Sequence, residues 1–231
     1  MLEIKDLTLK YGQSQILHKV NLTAAVGEVT TVMGTNGVGK TSLLRAIAGR
    51  HPYASGTITL DGKRLHHPSA YSAARAGIAY VPQGREVFPM MTVGENLETG
   101  FSCLPPNEHK ISDYIFDLFP VLKDMIDRRS GDLSGGQQQQ LAIARALITK
   151  PRVLLLDEPT EGIQPNIIKQ IGDVIHLLSS QSDMAIVLVE QFFDFAFDLG
   201  SEFLVMQRGK VVFNKRKNEL SRDELYTQVL V

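Results

Sequence analysis

The sequence has little cysteine and no long apolar run. Cys103 is its single cysteine, which excludes an internal disulfide framework and is typical of a protein from a reducing compartment. The N-terminal stretch MLEIKDLTLKY has early acidic residues and lacks the apolar core of a secretion signal. No later segment approaches the roughly 20 apolar residues that cross a membrane. We therefore expect a cytosolic chain.

Net charge is almost absent as well. The chain has 24 basic and 25 acidic residues, for a formal net charge of −1, and no basic block. This balance argues against nucleic acid as a partner. The six histidines show no metal-ligand spacing with cysteine or carboxylate. What the chain does have is 231 residues with 43% hydrophobic content, enough for one large α/β domain or a core with a subdomain.

The segment GTNGVGKT, residues 34–41, has the pattern of a phosphate-binding loop. It follows the apolar run VTTVM and precedes the helical pattern KTSLLRAIA, with Gly49 as a helix stop. Glycines let backbone N–H groups surround a phosphate, Lys40 neutralises β- and γ-phosphate charge, and Thr41 can coordinate Mg²⁺. The segment predicts a nucleotide site.

The run VLLLDE ends an apolar strand pattern with two acids. Asp157 fits the shell of a nucleotide-bound Mg²⁺. Glu158 follows immediately and would point the other way on an extended chain, which suits a general base that polarises a water attacking the γ-phosphate. After a phosphate loop, this pair favours catalysis over an ordinary acidic strand end.

The stretch DLSGGQQQQLAIARAL, residues 132–147, reads as the start of a helix. Apolar residues follow the glutamines with helical spacing, so the glutamines are not a low-complexity tract. Ser134 supplies a cap hydroxyl, and the two glycines leave backbone N–H groups open. The residues alone leave two interpretations, an anion site and an ordinary N-cap.

Strand and helix patterns alternate along most of the chain. The first 25 residues alternate apolar and polar around Gly12, which predicts two antiparallel strands joined by a turn. Residues 92–130 are mostly helical in pattern, with breaks at Pro105, Pro106 and Pro120. From residue 152 onward the pattern predicts strand, helix, strand, short helix and a β-hairpin, which favours a mainly parallel sheet.

In the order GTNGVGKT, LSGGQ, VLLLDEP, the chain resembles the ATPase subunits of ABC transporters over essentially its whole length. The resemblance implies an α/β P-loop NTPase with an N-terminal antiparallel β-subdomain, a nucleotide-binding core at 1–90 and 150–231, and a helical subdomain at about 91–149. It implies ATP and Mg²⁺ as ligands. The phosphate-contacting residues it implies are Asn36, Gly37, Gly39, Lys40, Thr41 and Ser42.

The same resemblance implies that a second subunit completes the site. The signature loop, with Ser134, Gly136 and Gln137, would face the γ-phosphate bound by that subunit. Tyr11 matches the aromatic residue that stacks on adenine, although a strand-edge tyrosine is the alternative. Gln83 matches the loop glutamine that senses Mg²⁺ and the attacking water, with a turn glutamine as the alternative. The implied metal-site residues are Thr41, Gln83 and Asp157, and the implied catalytic residues are Lys40, Gln83, Glu158 and Gln191.

Two departures from the family pattern are visible. Gln191 stands where the family usually has histidine, and a neutral amide cannot take up a proton as imidazole can, but it can hydrogen-bond a phosphate. Residues 161–164 read EGIQ in place of the usual small-x-leucine-aspartate of the dimer-contact loop. We hypothesise slow or partner-dependent hydrolysis at this chain's own site.

The motifs PQGREVFPMMTVGENL, DEPTEGIQP and LVEQFFDFA resemble the branched-chain amino acid uptake family, most closely the branch that serves urea. This implies an importer motor at the cytoplasmic face of the inner membrane. Its implied partners are a second, different ATPase subunit or a second copy, two permeases and, indirectly, a periplasmic solute-binding protein. A soluble ABC ATPase and a non-hydrolysing ATP clamp are the alternatives. Apolar residues at 116, 119, 121 and 122 fit either a permease groove or core packing.

Overall fold

The computed structural model describes residues 1–181 and 183–230. The strands are β1 (Leu2–Tyr11), β2 (Ser14–Ala24), β3 (Val29–Met33), β4 (Ser55–Leu60), β5 (Lys63–Leu65), β6 (Ile78–Val81), β7 (Val153–Asp157), β8 (Ala185–Val189), β9 (Glu202–Gln207) and β10 (Lys210–Arg216). The α-helices are α1 (Lys40–Ile47), α2 (Ala70–Arg75), α3 (Val93–Glu98), α4 (Asp113–Leu118), α5 (Pro120–Asp124), α6 (Gly135–Ile148), α7 (Pro165–Ser180), α8 (Phe193–Leu199) and α9 (Arg222–Leu230). Short 3₁₀ helices cover Thr99–Cys103, Pro106–Glu108, Ser130–Asp132 and Lys217–Glu219.

The N-terminal strands form an antiparallel sheet in the order β2-β1-β4-β5. The apolar residues of β1 alternate with polar ones, so one face of the strand is buried in the core and the other is not. Gly12, with φ of +58°, makes the turn between β1 and β2. The predicted pair of strands around Gly12 is confirmed.

The second sheet has the order β10-β9-β3-β8-β7-β6. All of its pairings except the β9–β10 hairpin are parallel, which confirms the predicted mainly parallel sheet. The inner strands β3, β7 and β8 are buried along their whole length, as continuous apolar runs in a parallel sheet usually are. Their carboxyl ends meet at one edge, where ligands bind in open α/β sheets.

Between β6 and β7 the chain consists mainly of short helices that pack on α6. Pro106 opens a 3₁₀ helix and Pro120 opens α5, so these prolines mark helix starts, as the break pattern predicted. Phe119 and Leu122 are 1% and 0% exposed, which assigns both to the core rather than to a groove. Phe116 and Val121 are partly buried against the same cluster. Within residues 1–181 and 183–230, no helix is both long and apolar enough to cross a membrane.

Two helices were not predicted from the sequence. The helix α2 buries only Ala73 fully, and α9 buries only Leu225 fully. Neither segment therefore carries the apolar periodicity that marks a helix packed along one whole face.

Candidate nucleotide-binding site

The phosphate loop joins β3 to α1 and needs glycine at two positions in particular. Gly34 and Gly39 have φ of +141° and +106°. A Cβ on Gly34 would lie 2.3 Å from the Met206 carbonyl oxygen, and one on Gly39 would lie 2.8 Å from Leu17 Cδ2. Gly39 caps α1 without a side-chain acceptor for the first-turn N–H groups. These donors are therefore open to an anion.

Lys40 is held at the mouth of this loop. Its side chain is 4% exposed, and Nζ lies 3.7 Å from Glu158 Oε1. Nζ also donates to the carbonyl oxygens of Gly34 (2.7 Å) and Thr35 (3.0 Å). Burial lowers the pKa of Lys40, while Glu158 and Asp157 oppose that shift. The ammonium is thus pre-positioned beside the loop.

A cavity of about 270 Å³ opens over the loop. Tyr11, at the end of β1, is 40% exposed, and its ring lies 4.2 Å from the ring of His51 between centroids. An exposed aromatic face at the rim of a phosphate cavity can stack on a base. The cavity brings together these residues predicted from the sequence: Tyr11, Asn36, Gly37, Gly39, Lys40, Thr41, Ser42, Gln83 and Glu158.

Asp157 ends β7 and is 1% exposed. Its Oδ1 accepts a hydrogen bond from Thr41 Oγ1 (3.1 Å), and its Oδ2 accepts one from the Tyr80 hydroxyl (2.9 Å). Burial raises the pKa of Asp157, whereas the bonds from Tyr80 and Thr41 lower it. A hydroxyl and a carboxylate oxygen in contact form the kind of oxygen pair that Mg²⁺ prefers.

The backbone at Glu158 differs from our expectation of an extended chain. Its φ is +49°, in the left-handed region, so the expected strand-like alternation with Asp157 was wrong. The pairing of β7 with β8 ends at Asp157, and the Glu158 N–H donates to the Val189 carbonyl oxygen on β8. The turned backbone places the Glu158 carboxylate, 9% exposed, against Lys40.

Two glutamine amides hold the Glu158 carboxylate from either side. Gln83 Nε2 donates to Oε2 (3.2 Å), and Gln191 Nε2 donates to Oε1 (2.5 Å). Gln83 also donates to Glu161 Oε2 (3.0 Å), and Gln191 also donates to Asn36 Oδ1 (2.7 Å). Because amides are neutral donors, they orient the carboxylate without adding charge.

Sequence reasoning gave no role to Tyr80 or Glu190. Tyr80 contacts Asp157 directly, and burial together with Asp157 raises the pKa of its phenol. Glu190 is 2% exposed and accepts hydrogen bonds from Thr160. The only sequence signal for Glu190 was a charged residue at the end of the apolar run AIVLV.

The signature residues do not line this cavity. Ser134 caps α6, where its Oγ accepts from the Gln137 N–H (3.3 Å) and its own N–H donates to Gln137 Oε1 (2.9 Å). The predicted helix start at Ser134 is confirmed. At Gly136 a Cβ would lie 2.9 Å from Ile167 Cγ2, so this glycine also permits packing against α7. Ser134, Gly136 and Gln137 therefore lie together at the start of α6, outside the cavity above the phosphate loop.

Comparison with known proteins matches residues 17–161 to a family described as ABC transporter. The chain is 39% identical over 215 residues to a high-affinity branched-chain amino acid transport ATP-binding protein, BraG, of Pseudomonas aeruginosa, covering 93% of this chain and 92% of that one. It is 35% identical to a probable branched-chain amino acid transport ATP-binding protein, LivF, of Archaeoglobus fulgidus, covering 99% and 98%.

Solved structures share the fold. A nucleotide-free ATP-binding cassette from an ABC transporter superposes with a TM-score of 0.88 at 24% identity, covering 100% of this chain and 97% of that one. A dimeric bacterial ABC transporter cassette gives a TM-score of 0.83 at 24% identity, covering 94% and 99%. The predicted α/β cassette fold is confirmed.

Proposed function

The chain belongs to the ABC transporter family of ATP-binding subunits, and on that premise we propose that it is the motor of an importer for branched-chain amino acids. Its activity is ATP hydrolysis coupled to transport. Two relatives, BraG and LivF, have branched-chain amino acid transport in their names. We therefore place these solutes before urea, which the sequence motifs favoured. The relatives' names and the sequence motifs point to different solutes, and a measurement of uptake of each solute distinguishes the two.

The observation that supports hydrolysis best is the arrangement of Glu158. Its carboxylate lies over the phosphate loop, 3.7 Å from Lys40 Nζ, with amide donors on both oxygens. In the proposed reaction Lys40 and the open N–H groups of α1 bind the triphosphate. Glu158 accepts the proton of the water that attacks the γ-phosphate. A non-hydrolysing clamp does not need this carboxylate.

We propose that Mg²⁺ binds with ATP at Thr41 and Asp157, with Gln83 nearby. The oxygens of Thr41 and Asp157 that lie 3.1 Å apart suit this ion, which is usually held by one or two protein carboxylates together with substrate phosphates. When bound there, the ion would supply positive charge to the β- and γ-phosphates. Gln83 donates to Glu158 and Glu161 in this structure, so it joins the metal site only by turning its amide.

Gln191 takes the place of the family's histidine. Its amide already contacts Glu158, and we propose that it orients that carboxylate and donates to the γ-phosphate when ATP is bound. Since a glutamine amide does not titrate near neutral pH, it supplies no proton. This is the physical basis of our hypothesis that hydrolysis is slow or depends on a partner.

The remaining proposals concern assembly. Ser134, Gly136 and Gln137 lie outside the phosphate cavity, which supports a composite site in which they face the nucleotide of a second ATPase subunit. We propose that this subunit is a different chain or a second copy, and that the segment at about 91–149 contacts the permeases. A periplasmic solute-binding protein supplies the solute indirectly. The assembly places the chain at the cytoplasmic face of the membrane.

The solute is tested by uptake in a strain of the source organism that lacks this chain. We expect loss of labelled leucine uptake, with recovery by the wild-type chain and not by Glu158→Gln. If the deleted strain loses urea uptake instead, and the wild-type chain restores it, the proposed solute is wrong and the proposed transport ATPase remains supported. Uptake of both solutes at normal rates in the deleted strain would contradict the proposal.

A further inference from the structure

Glu190 carries a buried carboxylate that the reaction described above does not use. The residue follows β8 directly and is 2% exposed. Oε1 accepts hydrogen bonds from the Thr160 N–H (3.1 Å) and the Thr160 hydroxyl (2.7 Å). Oε2 accepts from the N–H groups of Gln191 (2.8 Å) and Phe192 (3.0 Å). Each oxygen is thus filled by two donors.

These donors belong to two separate loops of the site. Thr160 follows Glu158 by two residues in the loop after β7, and Gln191 and Phe192 lie in the loop after β8. The two loops also meet through the backbone, where the Glu158 N–H donates to Val189, and through the Gln191 side chain, which reaches Glu158 Oε1 at 2.5 Å. Glu190 therefore closes a ring of contacts that passes through Glu158 and Gln191.

We propose that Glu190 is a positioning residue, which fixes the loop carrying Gln191 relative to the loop carrying Glu158 and so sets the contact between their side chains. This inference rests on the proposed ATPase function. Glu190 is not among the residues that line the cavity above the phosphate loop, so we infer that it acts through the two loops and not by contact with the nucleotide.

A carboxylate is the side chain that suits these donors. All the donors are N–H or O–H groups, and an ionised carboxylate is the only side chain of this length that accepts on both oxygens without carrying a donor. In Glu190→Gln, one end of the side chain becomes an NH₂ group. This NH₂ group then faces either the N–H groups of Gln191 and Phe192 or the two donors of Thr160. Because donors cannot bond each other, one of the two loops loses its hydrogen bonds to residue 190.

The first test is geometric and does not require turnover. Crystal structures of the nucleotide-free full chain would be compared for wild type, Glu190→Gln and Thr160→Val. The proposal expects the Gln191 amide to move out of hydrogen-bond reach of Glu158 in Glu190→Gln, and to stay or shift less in Thr160→Val, which keeps the Thr160 N–H. An unchanged Gln191–Glu158 contact in Glu190→Gln would overturn it.

The second test is a kinetic cycle in the assembled transporter with Glu190→Gln, Gln191→Ala and the double variant. We expect Glu190→Gln to lower kcat on the order of tenfold or more, because the displaced Gln191 amide no longer orients Glu158. The KM for ATP should change less, because Lys40 and the N–H groups of α1 still bind the phosphates when the Gln191 contact is lost. If Glu190 acts through Gln191, the double variant has the kcat of Gln191→Ala. Independent, multiplying losses would contradict the proposal and indicate a purely structural role.

A matched control removes a buried threonine hydroxyl elsewhere. Thr30 on β3 is 0% exposed and donates to the Thr23 carbonyl oxygen. Thr30→Val should keep wild-type kcat and the Gln191–Glu158 contact. If the wild-type transporter shows no ATP turnover that depends on Glu158, the proposed function fails, whereas the crystal structures still decide the role of Glu190.

Discussion

The chain contains two helices that begin at glycine-rich loops, and their N-termini differ in a way that explains their roles. At α1 the capping residue is Gly39, and no side chain accepts the first-turn N–H groups. At α6 the capping residue is Ser134, and Ser134 and Gln137 bond each other in a capping box. The first helix leaves its donors open to a ligand, whereas the second satisfies part of its own.

The surroundings of the two helices differ as well. At α1 the chain adds Lys40 beside the phosphate loop, with Asp157 and Glu158 at the carboxyl end of β7. The first residue of α6, Gly135, faces Arg85: a Cβ built on Gly135 would lie 3.1 Å from the Arg85 guanidinium, which also donates to the Glu161 carbonyl oxygen. We infer that α1 supplies a nearly complete triphosphate site, and that α6 supplies a surface that a second site completes.

The largest effect is expected from Glu158→Gln. The variant keeps the shape of the side chain and removes the base, so kcat should fall about a hundredfold or more. ATP binding should remain, because Lys40 and the N–H groups of α1 are untouched. ATP turnover and equilibrium nucleotide binding measure the two effects. The exposed Glu219→Gln serves as control, and turnover near the wild-type rate in Glu158→Gln would refute the assigned base.

The next effect tests the α1 side through Lys40→Ala. Removing one partner of a buried charge contact costs about 2–5 kcal/mol, so ATP affinity should fall roughly thirtyfold or more. Titration with a fluorescent ATP analogue measures the affinity, and a thermal melt checks that the chain is folded. Lys63→Ala on the exposed β5 should bind normally. Equal ATP affinity in Lys40→Ala and Lys63→Ala would contradict the claim that α1, unlike α6, supplies this chain's own triphosphate site.

A smaller effect tests the α6 side through Ser134→Ala. The isolated chain should bind ATP as before, because Ser134 lies outside the cavity. Turnover in the assembled transporter should fall on the order of tenfold, as a hydrogen bond to a charged phosphate is lost.

The matched control for this variant is Ser112→Ala, which removes the cap hydroxyl of α4. Each serine cap is worth about 0.5–2 kcal/mol of stability. Both variants should therefore be destabilised, while only Ser134→Ala loses turnover. Similar turnover in the two variants would mean that Ser134 acts only as a helix cap and has no role in hydrolysis.

The smallest effect concerns the base end of the cavity. Tyr11→Ala should weaken ATP binding by about 1 kcal/mol, roughly fivefold, because a stacking face is lost. Tyr11→Phe keeps the ring and should bind ATP like the wild type. Calorimetry measures both affinities. An unchanged affinity in Tyr11→Ala would mean that Tyr11 does not stack on adenine and is only a strand-edge residue.

Features that depend on local sequence were predicted well. The phosphate loop, the start of α6 and the turn at Gly12 each depend on glycines or caps within a few residues, so their patterns are visible in the chain. The left-handed backbone of Glu158 was not predicted, because it depends on a hydrogen bond to Val189 on another strand. The same holds for Glu190, whose partner Thr160 lies 30 residues away.

We infer that the α1 and α6 surfaces of different ATPase subunits close on one ATP. The most direct measurement is the solution mass of the Glu158→Gln chain with MgATP and with no nucleotide, alone and together with the ATPase subunit that purifies with it. We expect MgATP to raise the mass to that of two ATPase subunits, and we expect the added substitution Ser134→Ala to prevent the rise. An ATP-saturated chain that stays monomeric in both preparations would contradict the claim.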